Sequence, residues 1–163
     1  MPIEKGEFHR VHQIGIVVHN AEETAARIES MLKIPRSGSG NTPDGEKHRH
    51  GEKADFGAKM IFFDLDNVQL EIIEPLYGDS SWQAFLDEHG PGIHHILFNV
   101  KKWDSTVETL NDAGVELEMD GPSLNYPGAR WGYMDCRDLF GFVLEMGNPE
   151  EHGYTPVNFS GMK

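Results

Sequence analysis

Four side chains of types that bind metal ions stand at matching places in two similar halves of this sequence. Gln13 of the first half aligns with His95 of the second, within two stretches that share a pattern of apolar and β-branched residues. Glu71 aligns with Glu145, because each occurs in a Leu-Glu pair followed by three residues and a proline. If these stretches are strands related by pseudo-symmetry, the four side chains converge on one point.

Such a set is rich in oxygen and contains a single nitrogen ligand. It suits a divalent ion in octahedral geometry, with positions open for water or a substrate. The sequence therefore predicts one bound ion, Zn, Ni, Co or Mn, held by Gln13, Glu71, His95 and Glu145. An ion of this kind can polarise a carbonyl group and stabilise an enolate.

Other residues with reactive side chains favour a structural interpretation. Side chains alternate between the faces of a strand, so His12 and His94 are predicted on the face opposite Gln13 and His95, as structural histidines. The run at 48–50, His-Arg-His, is interpreted as part of a solvated charged loop. Cys136 has no evident base beside it and is interpreted as an inert, half-buried thiol.

The first strand of each half leads into a helix. Asn20 is predicted as the N-cap of the first helix, with Glu23 as its capping-box partner. The second long helix is expected to be capped near Asp104 or Ser105 and to end at Gly114.

These elements favour an α+β fold, in which two β-α-β-β-β modules form a curved sheet cleft around one metal. The repeat is a duplication and not a solenoid, which normally needs at least three copies. The predicted organisation is a single domain at 8–150 and a C-terminal tail at 151–163. Within the domain we expect module one at about 8–76, a linker at about 77–91 with a short helix at 82–88, and module two at about 92–149. The polar segment 38–53 lacks periodicity and is predicted to be a mobile loop.

The amino-acid composition limits the classes of partner that the chain can bind. The chain has 163 residues, a formal net charge of −13 and a single cysteine. The negative charge disfavours nucleic acid and anionic membranes, which attract positive surfaces. One cysteine fits a reducing compartment and excludes a cysteine-rich zinc module, and no apolar stretch approaches the length of a membrane span, so we expect a cytoplasmic protein. An anionic small substrate is still compatible with local basic residues: Lys47, Arg49, Lys53 and Arg130.

Four motifs, in this order and spacing, carry a resemblance to a known family. They are Ile-Gly-Ile-Val-Val, Leu-Glu-Ile-Ile-Glu-Pro, Gly-Ile-His-His-Ile and Gly-Phe-Val-Leu-Glu, and they fall within 11–149. In this respect the chain resembles the vicinal oxygen chelate superfamily, which includes glyoxalase I, methylmalonyl-CoA epimerase, extradiol dioxygenases and bleomycin-resistance proteins. The resemblance implies a homodimer and a small-molecule carbonyl substrate, such as a thioester or a glutathione adduct.

The resemblance also implies roles for individual residues. His95, the second histidine of its pair, and Glu145 match the family's metal positions, and Glu71 matches the second motif. Gln13 departs from the histidine common in the epimerases and makes the set similar to that of animal-type glyoxalase I. Glu145 is implied to be a catalytic proton carrier, and Asp55 matches an acidic position of the epimerases, where it would be a second acid/base group facing Glu145.

The sequence therefore predicts a metal-dependent isomerase or lyase, either methylmalonyl-CoA epimerase-like or lactoylglutathione lyase (glyoxalase I)-like. A functional Asp55 would favour the epimerase. One alternative is a metal-free or metal-assisted small-molecule-binding protein of the antibiotic-resistance type. The other is a ring-cleaving dioxygenase, which is disfavoured because the extradiol pattern resembles two histidines and one glutamate holding iron, whereas the first ligand position here is Gln13.

Overall fold

Ten strands and four α-helices make up residues 3–157, the part of the chain described by the structure, which is a computed structural model. The predicted tail at 151–163 is described as far as residue 157, and its remainder lies outside the described residues. In chain order the elements are β1 (Gln13–Val17), α1 (Ala21–Leu32), β2 (Gly38–Asn41), β3 (Lys47–Arg49), β4 (Glu52–Ala54), β5 (Gly57–Asp64), β6 (Gln69–Tyr77), α2 (Ser81–His89), β7 (Gly92–Asn99), α3 (Trp103–Asp112), β8 (Leu117–Pro122), β9 (Arg130–Met134), α4 (Arg137–Phe140), β10 (Val143–Gly147) and a 3-10 helix (Pro149–His152).

The strands form one strongly curled, open sheet in the order β2-β5-β6-β1-β7-β10-β9-β8-β3-β4. The first strands of the two halves, β1 and β7, lie antiparallel at its centre. Each has the last strand of its own half as a parallel neighbour, β6 beside β1 and β10 beside β7. The predicted α+β architecture with a curved sheet is confirmed.

Alternating side chains divide the core between the two faces of the sheet. On the convex face, α1 covers apolar residues of β5 and β6, including Ile61 and Ile72. On the same face of the second half, α3 packs over Leu144 and Met146 of β10. Residues in between, such as Glu71 on β6, therefore point to the concave face, and this face carries the cleft.

Helix ends follow local signals only in part. The side chain of Asn20 accepts a hydrogen bond from the backbone of Glu23 at 2.9 Å, so the predicted N-cap of α1 is confirmed. The cap of α3 predicted near Asp104 or Ser105 was wrong, since the helix already begins at Trp103. The N–H of Trp103 donates to Oε1 of Glu151 at 2.8 Å. A carboxylate from a remote 3-10 helix therefore caps α3, which no local pattern can reveal. The linker helix predicted at 82–88 is confirmed as α2.

The segment 38–53 is not the predicted mobile loop, because it contains β2, β3 and the start of β4. The edge strand β2 pairs antiparallel with β5, and the β3–β4 hairpin crosses to the other half and pairs with β8. His50 and Gly51 both have positive φ, which suits the two-residue turn of such a hairpin. Short, mostly polar strands at or next to the edge of a sheet show no apolar alternation, so the sequence gives no signal for them.

Residues 3–157 contain no helix that is both long and apolar enough to cross a membrane.

Candidate metal centre and active site

The four predicted metal ligands meet on the concave face at the centre of the sheet. Gln13 comes from β1, Glu71 from β6, His95 from β7 and Glu145 from β10. Each of the four residues is at most 7% exposed, and His95 is fully buried. The curl of the sheet thus brings together two strands from each half, as the alignment of the halves predicts.

Their ligand atoms cluster around Nε2 of His95. Oε2 of Glu145 lies 2.9 Å from this nitrogen, Oε2 of Glu71 lies 3.2 Å away, and Oε1 of Gln13 lies 3.5 Å away. With metal–ligand bonds of about 2.1 Å, neighbouring ligands of an octahedral ion lie about 3.0 Å apart. The observed separations are therefore those of a set that can close around one ion.

A second observation supports the fit. Oε2 of Glu145 is buried and, although Nε2 of His95 lies 2.9 Å away, it receives no well-aligned hydrogen bond from the residues that the structure describes. A buried polar atom in this state costs free energy, and a buried charge costs more. A divalent cation among the four ligand atoms would satisfy this oxygen, so the residues present fit a metal ion.

Gly15 makes room for the imidazole of His95. The two residues are paired across β1 and β7. A Cβ atom at Gly15 would lie 1.8 Å from Cε1 and 2.1 Å from Nε2 of His95. The absence of a side chain at this position allows the ring to lie over the neighbouring strand.

Gln13 is oriented by a neighbour that sequence reasoning missed. Nε2 of Gln13 donates to Oε1 of Gln69 at 2.7 Å, and Nε2 of Gln69 donates to Asp64 at 2.8 Å. These bonds turn Oε1 of Gln13 toward His95. The available signal was spacing, because Gln69 stands two residues before Glu71 on the same strand and therefore on the same face.

A β-bulge changes the position predicted for His94. Gly15 lies opposite His95, but the next residue of β1 lies opposite Ile93, so His94 is an extra residue in β7. Its ring stays on the concave side, 5.3 Å from the ring of Tyr133, which also lies 4.9 Å from His95. The prediction that His94 occupies the opposite face was therefore wrong, since a bulge interrupts strict alternation.

Above the ligands lies a cleft of about 410 Å³ with an aromatic wall. Trp82, Trp131 and Tyr133 form this wall, and His12, which precedes β1, also lines the cleft. Nε1 of Trp82 donates to the Tyr133 hydroxyl at 2.8 Å, and Nε1 of Trp131 donates to the carbonyl of Pro122 at 3.0 Å. The indole N–H groups are thus bonded within the protein, and the wall offers apolar ring faces to a ligand.

Burial and mutual charge set the protonation of the site in the metal-free chain. Burial raises the pKa of Glu71, and the charge of Glu145 adds to this effect. Burial disfavours a charged His95, but the charge of Glu145, together with the charge and hydrogen bond of Glu71, outweighs it and raises the pKa to about 9. Burial lowers the pKa of His94 well below 6.5, and burial raises the pKa of Tyr133 well above 10. Tyr133 therefore keeps its proton and is able to donate a hydrogen bond.

Asp55, the predicted second acid/base group, is not brought to this site. Its side chain is 86% exposed and lies 3.6 Å from Nζ of Lys47, just after the β3–β4 hairpin. It borders a separate surface depression with Arg49 and Asp79 and does not line the cleft. The buried strand β5 begins two residues later, so Asp55 occupies the outer end of that strand.

The remaining candidates have protein partners. His48 lies 2.9 Å from Asp120, and His50 lies 2.6 Å from Glu116, so the predicted solvated run is tied to the second half of the sheet. Of the four basic residues considered for an anion, Arg130 lines the cleft, where it is paired with Asp120. Cys136 is fully and not half buried, and burial raises the pKa of its thiol.

Known proteins share this sequence pattern and fold. The uncharacterized protein YqjC of Bacillus subtilis (strain 168) is 27% identical over 144 residues, 88% of this chain and 94% of YqjC. Human mitochondrial methylmalonyl-CoA epimerase is 22% identical over 138 residues, 84% of this chain and 72% of the epimerase. The crystal structure of methylmalonyl-CoA epimerase from Mycobacterium tuberculosis superposes with a TM-score of 0.66 at 18% identity, covering 91% of this chain and 93% of the epimerase. The family model for the glyoxalase/bleomycin resistance protein/dioxygenase superfamily matches residues 12–133, and the chain belongs to this superfamily.

Proposed function

We propose that this chain is a metal-dependent isomerase or lyase that moves a proton at the carbon next to a carbonyl group. The observation that carries the proposal is the buried cluster of Glu71, His95 and Glu145, whose ligand atoms lie within 4.8 Å of one another at the base of the cleft. A bound divalent ion would polarise the substrate carbonyl and stabilise the negative charge that develops on its oxygen. Gln13, Glu71, His95 and Glu145 would hold that ion.

Glu145 is the residue that we assign to the proton transfer. Its Oε2 atom is buried and faces the same point as the other three ligand atoms, so it would be in reach of the carbon next to a substrate carbonyl bound at that point. A buried carboxylate in this position would act as the general base that takes the α-proton of the substrate. Tyr133, opposite Glu145 on β9, accepts from Trp82 and keeps its own hydrogen to donate to a substrate oxygen.

The aromatic wall supports this chemistry by excluding water. Trp82 and Tyr133 are each 1% exposed, and they form the side of the cleft next to His95. In a site of low dielectric, the attraction between an enolate-like intermediate and nearby donors is stronger than in water.

Two substrate classes are the candidates. Similarity to the human and Mycobacterium tuberculosis epimerases supports an acyl-CoA thioester such as methylmalonyl-CoA. Gln13 and the position of Asp55 support glyoxalase-like chemistry on a glutathione hemithioacetal, because epimerisation needs a second acid/base group on the opposite face of the enolate. A homodimer is part of the same proposal and rests on the family resemblance.

Isotope exchange tests the proposal and separates the two classes. Metal-loaded protein is incubated in deuterated water with methylmalonyl-CoA and, separately, with the methylglyoxal–glutathione hemithioacetal. We expect deuterium at the α-carbon with one of them. Glu145→Gln should slow incorporation by about 100- to 10,000-fold, the usual contribution of a positioned acid/base group. Asp55→Asn, the matched control carboxylate outside the cleft, should retain incorporation, and a comparable loss in this variant would support the two-base epimerase.

The second candidate function is metal-free binding of a small molecule. Metal analysis distinguishes it from the enzyme. Purified protein should carry about one divalent ion per chain, and His95→Ala and Glu145→Ala should each remove it. A chain that binds no ion in equilibrium titration, yet binds small molecules in its aromatic cleft, would replace the enzyme proposal with a sequestering function.

A further inference from the structure

Behind His95, on the side away from the oxygen ligands, a line of buried polar groups runs to the surface. Nδ1 of His95 lies 3.1 Å from Nδ1 of His94, whose Nε2 lies 2.9 Å from Oγ of Ser81. Oγ of Ser81 donates to Oε1 of Glu118 at 2.8 Å, and Oε2 of Glu118 accepts from Arg137 at 2.7 Å. The first four residues are each at most 2% exposed, so water does not compete for these bonds.

The hydrogens of this line have only one consistent arrangement. A carboxylate accepts and does not donate, so the hydroxyl hydrogen of Ser81 points to Glu118. The oxygen of Ser81 must then accept from an Nε2–H group of His94. A neutral imidazole carries a single N–H, so Nδ1 of His94 has a lone pair, and the hydrogen between the two rings belongs to Nδ1 of His95.

The outer end of the line is held by charge. Arg137 of α4 binds Glu118 directly, and Nη1 of Arg49, from the β3–β4 hairpin, lies 3.8 Å from the same oxygen. Arg137 is itself fixed by Asp135, whose Oδ1 lies 2.9 Å from its Nε. Two cations therefore keep Glu118 an acceptor, and this fixes the direction of every hydrogen bond that follows.

We propose that His94, Ser81 and Glu118 are positioning residues for His95, holding its Nδ1 hydrogen inward and its Nε2 atom toward Gln13, Glu71 and Glu145. A metal-binding imidazole generally donates its other N–H to an acceptor, which fixes the tautomer and the ring plane and makes the ligand more basic. Here that acceptor is the adjacent histidine, placed beside His95 by the bulge in β7. The metal role of this arrangement rests on the function proposed above.

Two adjacent serines provide a matched test of the metal role. Ser80 and Ser81 are both buried at the start of α2, but the Ser80 side chain accepts from the backbone of Gln83 and takes no part in the line. Chelator competition gives the dissociation constants for Zn²⁺ and Co²⁺. Ser81→Ala should weaken binding by about 10- to 100-fold, and Ser80→Ala by less than about twofold, although both lower thermal stability. Equal affinities in the two variants would overturn the proposal.

Tautomers, measured by ¹⁵N NMR on histidine-labelled wild-type protein, test the geometry without a variant. We expect His94 with its hydrogen on Nε2 in both the metal-free and the Zn²⁺-loaded protein, and His95 with hydrogen on Nδ1 in the loaded protein. A hydrogen on Nδ1 of His94 would break the line and refute the inference. A chain that binds no ion but shows the expected His94 tautomer would refute the proposed function while leaving the arrangement of the three positioning residues in place.

Discussion

Adding one methyl group to Gly15 should disable the metal centre without touching a ligand. The new Cβ of Gly15→Ala would lie 1.8 Å from Cε1 of His95, whereas carbon atoms in favourable contact are about 3.5 Å apart. The ring must therefore move by about 1.7 Å, far beyond the roughly 0.2 Å tolerance of metal–ligand distances. Tyr133 and the bond to His94 block its retreat, so strain and loss of a ligand are both expected.

The expected magnitudes follow from overpacking and from the lost ligand. Overpacking a dense core costs about 1–3 kcal/mol of unfolding free energy, which lowers the melting temperature by about 2–12 °C in a chain of this size. The dissociation constant for Zn²⁺, from chelator competition, should rise at least tenfold, on the order of the loss seen when ligand orientation is disturbed.

Gly92→Ala is the matched control for this experiment. Gly92 lies on β7, the strand beside β1, and its added Cβ would make an ordinary contact of 3.5 Å with Phe85. This variant should keep wild-type metal affinity. If Gly15→Ala binds Zn²⁺ as tightly as Gly92→Ala does, His95 does not lie over Gly15, and the geometry of the centre is refuted.

Three further outcomes are expected. Chelation of the bound metal should lower the melting temperature by about 5–11 °C, since free ion at a hundredfold excess over its dissociation constant adds about 2.7 kcal/mol to the free energy of unfolding. An unchanged melting temperature after verified removal of the metal would contradict a site that binds the ion only in the folded chain. In the metal-free chain, the pKa of His95 is raised from 6.5 to about 9, so its stabilising contribution is complete below pH 6.5 and is lost as the pH rises through 9. Urea unfolding of wild type and His95→Gln should then differ most near pH 6 and converge above about pH 9.5; a constant difference would refute the charge pairing. Asn20→Ala should cost about 1 kcal/mol through loss of the α1 cap, with metal affinity unchanged in the competition assay.

The duplication made two features predictable from sequence: the central part of the fold and the convergence of the four candidate ligand side chains. Gln13 and Glu71 are weak signals alone, but each has a counterpart at the same place in the other half, and pseudo-symmetric strands must meet at the sheet centre. The core on the convex face of the sheet was also predictable, because the periodicity of apolar residues in helices and strands indicates which side chains are buried. Ile72 and Leu144 follow this rule on opposite sides of the centre.

Features that depend on irregular or remote backbone contacts were not predictable. The bulge that keeps the His94 ring on the concave side, behind His95, breaks the two-residue period of the strand, and a single sequence gives no sign of it. Asp55 occupies the spacing expected of an epimerase acid, but spacing along the chain does not show which way the end of β5 faces. Trp103 is capped by Glu151 from 48 residues away, and such a contact requires the folded sheet.

The β3–β4 hairpin has a consequence for the order in which the chain folds. His48 pairs with Asp120, 72 residues later, so the hairpin cannot dock until the second half has been synthesised and has formed β8. Contacts between distant residues carry a large loop-closure entropy and slow the folding reaction. Until docking, β8 exposes an open edge of the kind that pairs with other chains. Because β3 of the first half covers this edge, the folding of the two halves is kinetically coupled. The finished sheet ends in two short edge strands, β2 and β4, of four and three residues.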